Sequence, residues 1–281
     1  MARCEEKHED IAMKIGNREF DLNHKTYIMG ILNVTPDSFS DGGQWSEQDV
    51  ALRHVEMMIK DGADIIDVGG ESTRPGYLQI SEDEECARTV PIIEAISKRF
   101  DVPISIDTYK AGVAQATLLA GAHLVNDIWG LKHDQDMAKI VAEHGAACCL
   151  MHNKEVATYD DFMADVLNEL QESIRIAKAA GVSEDKIIID PGVGFAKSYE
   201  QNLEVINKIE VLHELKVPIL LGTSRKSVIG LALDLPASER VEGTIATTVI
   251  GVMKGCSFVR VHDVGANKRA IQMTEAVLYG N

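Results

Sequence analysis

Several things are scarce or missing in this chain of 281 residues. No apolar run approaches bilayer-spanning length, so a membrane helix is not expected. No Pro- or Ser-rich linker and no low-complexity segment divides the chain, which favours one domain, 1–281, over two tethered ones. Positive charge is in deficit. The 28 Lys and Arg against 44 Asp and Glu leave a net charge of −16, a surface that repels nucleic acid and anionic membranes. The five cysteines (Cys4, Cys86, Cys148, Cys149 and Cys256) are odd in number and contain no CxxC pair. They read as reduced thiols rather than a disulfide framework or metal site. HxH and HExxH spacings are absent too, so a zinc cage made by the protein alone is not expected. The charged Met1–Asp10 segment is unlike a signal peptide, and the expected compartment is the cytoplasm.

What is present is a repeated pattern. Eight short runs of β-branched and aliphatic residues recur: Tyr27–Asn33, Ile65–Gly69, Pro103–Asp107, Leu124–Asp127, Ala146–His152, Ile187–Asp190, Pro218–Gly222 and Phe258–His262. Helix-length stretches separate them. Strands alternating with helices imply parallel βαβ units, and eight in a chain this long predict an α/β fold, the closed (β/α)₈ TIM barrel. Residues 1–26 form an N-terminal extension in which Ala12–Ile15 and Arg18–Leu22 flank Gly16-Asn17. That is a hairpin pattern, expected to close the bottom of the barrel. Ser46-x-x-Asp49 and Ser81-x-x-Glu84 resemble capping boxes. After the first, Leu52, Val55, Met58 and Ile59 repeat at helical spacing. Pro91 is a candidate kink in the second helix. Asp161–Ala180 predicts a long amphipathic helix closed by Gly181, and Pro236–Met253 and Ala266–Tyr279 supply the last two. The connections Thr35–Trp45 and Glu71–Ser81 are long, polar and suited to lids.

In a barrel the C-terminal strand ends share one mouth. Asn33, Asp107, Asn126, Asp127, Asp190, Arg260 and His262 therefore gather there. An aspartate closing an apolar strand is costly to bury unless it is paired. A loop anchor explains one such acid as well as function does, but it explains two acids beside Asn126 poorly. Carboxylates and an amide at one depth suit a flat heterocycle with an edge of N–H donors. Cations stand nearby: Thr223-Ser224-Arg225-Lys226-Ser227 follows the seventh run, and Arg260-Val261-His262 ends the eighth. Barrels often bind phosphate after strands seven and eight, and a Ser-rich turn before a helix offers backbone N–H groups. A solvated turn accounts for Arg225 alone. Both clusters together favour an anionic group near Arg260 and His262, helped by Arg74. A magnesium ion held mostly by substrate phosphate, with Asn33 as a protein ligand, fits better than zinc on His262. Phe39 and Phe195 are aromatics where polar loop tips are expected, so both could wall a flat ligand. Asp190-Pro191-Gly192-Val193-Gly194-Phe195 lacks the Walker lysine and GxGxxG pattern of a nucleotide loop.

These strings carry a resemblance. Ile31 to Gly43, reading ILNVTPDSFSDGG, and Gly69 to Gly76, reading GGESTRPG, resemble the two signatures of the dihydropteroate synthase family. Ser105–Thr108, Asn126–Ile128, Leu150–His152, Asp190–Phe195, Ser224–Ser227 and Arg260–Val264 follow in the family's order, over nearly the whole chain from Met13. Asn126 to Gly130 is similar to Gram-positive versions. The resemblance implies joining of 6-hydroxymethyl-7,8-dihydropterin diphosphate to para-aminobenzoate. Asp107, Asn126, Ile128, Met151, Asp190, Lys226 and Arg260 would hold the pterin, and Asn33, Arg74, Arg260 and His262 the diphosphate with Mg²⁺. Phe39, Thr73, Arg74, Pro75, Phe195 and Ser227 would shape the para-aminobenzoate site, which sulfonamides occupy in the family. It assigns catalytic roles to Asn33, Asp37, Asp41, Arg74, Lys226, Arg260 and His262. Family members are commonly homodimers, and Thr244-Ile245-Ala246, bulkier than expected, touches a possible dimer face. Two rivals are the related methyltetrahydrofolate methyltransferase barrel, which should lack the Ser-Arg-Lys-Ser run and the long first loop, and a degenerate pterin-binding scaffold.

Overall fold

A computed structural model describes residues 12–35, 47–71 and 79–280. The first described element is an antiparallel hairpin, β1 (Ala12–Ile15) and β2 (Arg18–Asp21), turning at Gly16 with φ +60. Eight parallel strands follow in the order β8-β7-β6-β5-β4-β3-β10-β9. They are β3 (Tyr27–Asn33), β4 (Ile65–Gly69), β5 (Ile104–Asp107), β6 (Leu124–Asp127), β7 (Ala147–Met151), β8 (Ile187–Asp190), β9 (Leu220–Leu221) and β10 (Phe258–Val261). A parallel bridge from Ile189 to Ile219 joins the two ends of that row and closes the barrel.

Four strands are shorter than their apolar runs, β10 losing only His262. Pro103 and Pro218 lack an N–H and join the ladder through their carbonyls alone, accepting from Ile66 at 3.0 Å and Ile189 at 2.9 Å. The run at 146–152 loses a residue at each end.

The helices are α1 (Glu47–Lys60), α2 (Glu82–Arg99), α3 (Ala111–Ala120), α4 (Met137–Glu143), α5 (Phe162–Ala179), α6 (Tyr199–Asn207), α7 (Ser227–Leu233), α8 (Val241–Met253) and α9 (Val264–Tyr279). On α1, Leu52, Val55 and Met58 are buried, with Ile59 packed beside them. Asp161 caps α5 by accepting from Ala164 N–H, and Gly181, φ +99, follows the C-cap Ala180. Helix α8 starts five residues later than Pro236 because a 3₁₀ turn, Ala237–Glu239, intervenes. Ser81 accepts from Glu84 N–H, but Glu84 pairs with Arg88 one turn on, so the capping box is half made. The complete box is Ser198 with Gln201. Ser46 lies outside the described residues.

Strand alternation sends successive residues to two cores. One parity (Ile28, Leu32, Ile66, Val68, Val125, Cys148 and Leu150) packs against the helices. The other (Met29, Ile65, Leu124, Ala147, Cys149, Ile188, Leu220 and Phe258) fills the barrel with Met13, Ile15 and Phe20 of the hairpin. The hairpin thus plugs one end, as expected, and beyond this plug Asp67, Ser105, Asn126, Asp190 and Arg260 take inward positions, with Ile31 and Met151 the apolar ones among their neighbours.

Candidate active site

The polar layer is built around Arg260. Its Nε donates to Asp67 Oδ2 and its terminal nitrogen to Asp107 Oδ2, each at 2.6 Å. Asp67 is fully buried and also accepts from Asn126 Nδ2 at 3.3 Å. Burial opposes the charge of Arg260, but Asp67 and Asp107 outweigh it and hold its pKa above the ordinary value. One guanidinium serves two acids. Burial therefore pushes Asp107 up to about 7 despite Arg260, with Asp67 adding repulsion. Asp67 Oδ1 and Asp107 Oδ1 are buried without a hydrogen-bond partner, acceptors of the kind an N–H edge would satisfy.

Asp190 stands on the same rim. Its Oδ1 accepts from Gly192 N–H at 2.7 Å. Gly222 leaves room beside it: a Cβ there would lie 3.4 Å from Asp190 Oδ2 and 3.8 Å from both Arg260 Cβ and Lys226 Nζ. Burial raises the Asp190 pKa and lowers Lys226 to about 8, each partly offset by the other's charge. Lys226 Nζ donates to Val193 O at 2.5 Å and lies 4.9 Å from the centre of the Phe195 ring. Ile128 and Met151 pack with Tyr109, Trp129 and Phe195 as an apolar cluster apart from the two cores. The layer thus offers acceptors, cations and an apolar wall.

His262 sits across the rim. Ser224 Oγ accepts the His262 backbone N–H at 3.1 Å and lies 2.9 Å from Nδ1. If the hydroxyl donates to Nδ1, the ring carries its proton on Nε2, the tautomer that would offer a donor to an anion. Asn33 is exposed at the end of β3, with Oδ1 3.6 Å and Asp107 Oδ2 3.8 Å from where a Gly69 Cβ would stand. Among the described residues no three His, Cys, Asp or Glu converge on a metal position. An amide oxygen such as Asn33 Oδ1 suits magnesium, which takes few protein oxygens when phosphate supplies the rest.

The structure brings Asn33, Asp107, Asn126, Asp190, Lys226, Arg260 and His262 to one end, with Ile128, Met151 and Phe195 alongside and Ser227 exposed at the start of α7. Asp37, Phe39, Asp41, Thr73, Arg74 and Pro75 lie outside the described residues, as do most of the two expected lids. One expectation is corrected. Asp127 does not join the mouth, because its carboxylate accepts from the backbone N–H groups of Trp129 at 2.8 Å and Leu131 at 2.7 Å. It has the outward parity of Val125. Arg225 is partly exposed, and its guanidinium grips both oxygens of Asp263, at 3.0 and 2.6 Å.

Sequence reasoning missed Asp67. An acid between Ile66 and Val68 in a buried strand was the available signal. It also missed Lys110, which donates to Glu71 at 2.6 Å, Glu85 at 2.7 Å and Ile80 O at 2.8 Å. Those bonds tie Glu71 to Ile80 across residues 72–78.

Residues 29–262 match the family described as pterin binding enzyme. A relative from Clostridium beijerinckii, named dihydropteroate synthase, is 62% identical over 267 residues, 95% of this chain and 99% of its own. The chain belongs to the dihydropteroate synthase family. Two solved members of that family agree in shape. The Clostridium difficile dihydropteroate synthase, determined in the presence of pteroic acid, superposes with a TM-score of 0.90 at 50% identity, covering 93% of this chain and 100% of that one. The Xanthomonas albilineans dihydropteroate synthase with 4-aminobenzoic acid gives 0.92 at 37% identity, covering 96% and 99%.

Proposed function

We propose that this chain couples 6-hydroxymethyl-7,8-dihydropterin diphosphate to para-aminobenzoate, giving 7,8-dihydropteroate and diphosphate. The observation that carries the reading is the contact of Arg260 with Asp107 at 2.6 Å. The acceptors for a pteridine edge and the cations for a leaving diphosphate belong to one layer of one barrel.

The reaction breaks a C–O bond, leaving a pterin-methyl cation and a highly charged diphosphate. Asp107 and Asp190, with Asn126, receive the ring's N–H donors and favour its positive charge. Ile128 and Met151 flank the ring, and Lys226 closes its edge. Arg260 and His262 Nε2–H face the departing oxygens and offset their charge. Magnesium, held by Asn33 and the diphosphate itself, would supply further charge neutralisation there. The arylamine is neutral at physiological pH, so Phe195 and Ser227, with Thr73, Arg74, Phe39 and Pro75, need only orient it. As its nitrogen bonds to the methyl carbon, the arylamine sheds a proton to water or the departing diphosphate, so no essential general base is required. Sulfonamides compete at this arylamine position. Asp37 and Asp41 take their catalytic roles from the family resemblance alone.

We further infer one pterin-binding domain over 1–281, a cytoplasmic location, and a homodimer. Met253 on α8 and Met273 and Val277 on α9 support the last, being 63%, 65% and 71% exposed on two helices that pack together. Apolar surface of that kind favours a partner.

The deciding experiment incubates the chain with pterin diphosphate and para-aminobenzoate, with and without Mg²⁺, and measures diphosphate release. Release that needs the arylamine is expected. Tight pterin binding without release would instead identify a scaffold.

A further inference from the structure

The turn after β8 is held at more points than a surface turn requires. Four of its carbonyls meet a side chain. Lys197 Nζ donates to Gly192 O at 3.0 Å and Phe195 O at 3.1 Å. Lys226 Nζ serves Val193 O, and the Tyr159 hydroxyl donates to Ala196 O at 2.7 Å. From the helix side, Asn202 Oδ1 accepts from Gly194 N–H at 2.6 Å. Gly192, φ +71, runs so near the end of β7 that a Cβ would stand 2.0 Å from His152 O. Only glycine fits there.

Lys197 has a third contact, His152 Nδ1 at 2.8 Å. An ammonium carries three N–H donors, and three acceptors surround it here. A neutral amine carries two and would abandon one of them. His152 is fully buried and accepts at Nδ1, so its proton sits on Nε2, 3.2 Å from Glu169 Oε2 but off hydrogen-bond geometry. Glu169 Oε1 in turn takes Lys154 at 2.6 Å. Burial, reinforced by Lys197, Lys132 and Lys154, pushes His152 down to about 2, so the ring is a constant neutral acceptor.

The charges facing Lys197 come from four elements. Asp190 at the end of β8 and Glu169 on α5 favour its proton, while Lys226 before α7 and Lys154 after β7 oppose it. Burial is the largest influence and brings Lys197 down to about 7.

We propose that Lys197 is a positioning residue, whose ammonium, seated between His152 and the turn, sets where Asp190 and Phe195 stand toward substrate. This rests on the coupling reaction proposed above. Asp190 has its own tie to Gly192 N–H, whereas the Phe195 carbonyl relies on Lys197. Losing the ammonium therefore disturbs the arylamine side more than the pterin side.

The test is Lys197→Met against wild type, with pterin diphosphate affinity measured by calorimetry and the arylamine KM by diphosphate release. The variant is expected to raise the arylamine KM about tenfold, equal to roughly 1.4 kcal/mol, with pterin affinity and kcat within about twofold. The ratio of variant to wild-type KM should be largest near pH 6 and smaller near pH 9, as wild type loses its third donor while keeping two. A ratio of one throughout, or one that does not change with pH, overturns the proposal. Should the variant fail to fold, hydrogen exchange on wild type decides. Corrected for intrinsic rates, amides 192–197 should lose protection over the same pH range while α5 does not, and unchanged protection overturns the proposal. Wild type that releases no diphosphate sinks the reaction instead, and the exchange measurement still judges Lys197.

Discussion

At the floor of the barrel, Ile65, Leu124, Ile188 and Phe258 meet Phe20 of the hairpin, all fully buried and all apolar. One inward position further along the same strands stand Asp67, Asn126, Asp190 and Arg260, buried or nearly so and all polar. The two layers share strands, twist and spacing, yet opposite forces act in them. The floor gains from area removed from water, about 25 cal/mol per Å² of apolar surface. The polar layer gives up that gain and adds desolvation of ions, which their mutual attraction offsets only in part. Unpartnered Asp67 Oδ1 and Asp107 Oδ1 are the residue of that imbalance. A floor that stabilises more than it needs lets the rim hold charges apart for a ligand.

Removing the rim's central cation is the harshest way to break this comparison. Arg260→Met leaves two buried carboxylates without a counter-charge and the diphosphate without a donor. Turnover is expected to fall by about two orders of magnitude or more, with stability lost by roughly 3–5 kcal/mol. Coupled diphosphate-release kinetics and denaturant unfolding measure both, and loss of stability with unchanged turnover would contradict the assignment.

Phe20→Ala strikes the floor alone. Its ring lies 4.8 Å from Tyr27 and 5.7 Å from Phe258, centre to centre. A stability loss of about 3–5 kcal/mol is expected, with both substrate KM values unchanged in the folded fraction. Altered KM values would show that the two layers are coupled.

The smallest effect is the sharpest test of the rim. Asp107 is raised from 3.8 to about 7 by burial, so between those values the folded chain binds more protons than the unfolded one. Stability therefore falls as pH rises across that window. Asp107→Asn should reduce that fall by on the order of 1 kcal/mol or more in denaturant titrations at pH 4 and 7. Asp127, raised to about 6 by burial, remains in both proteins and cancels in the difference. An identical slope in the variant would place the raised acid elsewhere.

Much of the rim could be read in advance because a strand's parity and its last residue are local facts. Asn33, Asp107 and Asp190 end apolar runs, Asn126 stands one residue before the end of its own, and a barrel sends such ends to one mouth. The same parity rule, applied strictly, would have turned Asp127 away. Asp67 and Lys197 escaped for a different reason. Arg260 meets Asp67 across 193 residues of sequence, and Lys197 meets His152 across 45. No window of sequence contains either pair.

By itself the sequence determined the alternation of elements, the eight strands in order, the hairpin, the polar strand ends and the family resemblance. Each follows from neighbours within a few residues, where backbone geometry and hydrophobic period act directly. Only the tertiary structure decided that Arg260 divides itself between Asp67 and Asp107, that Asp127 anchors backbone instead of facing the mouth, and that Lys197 clamps the turn bearing Asp190 and Phe195. Those outcomes depend on which charges share one dry interior, and closure of the barrel creates that interior.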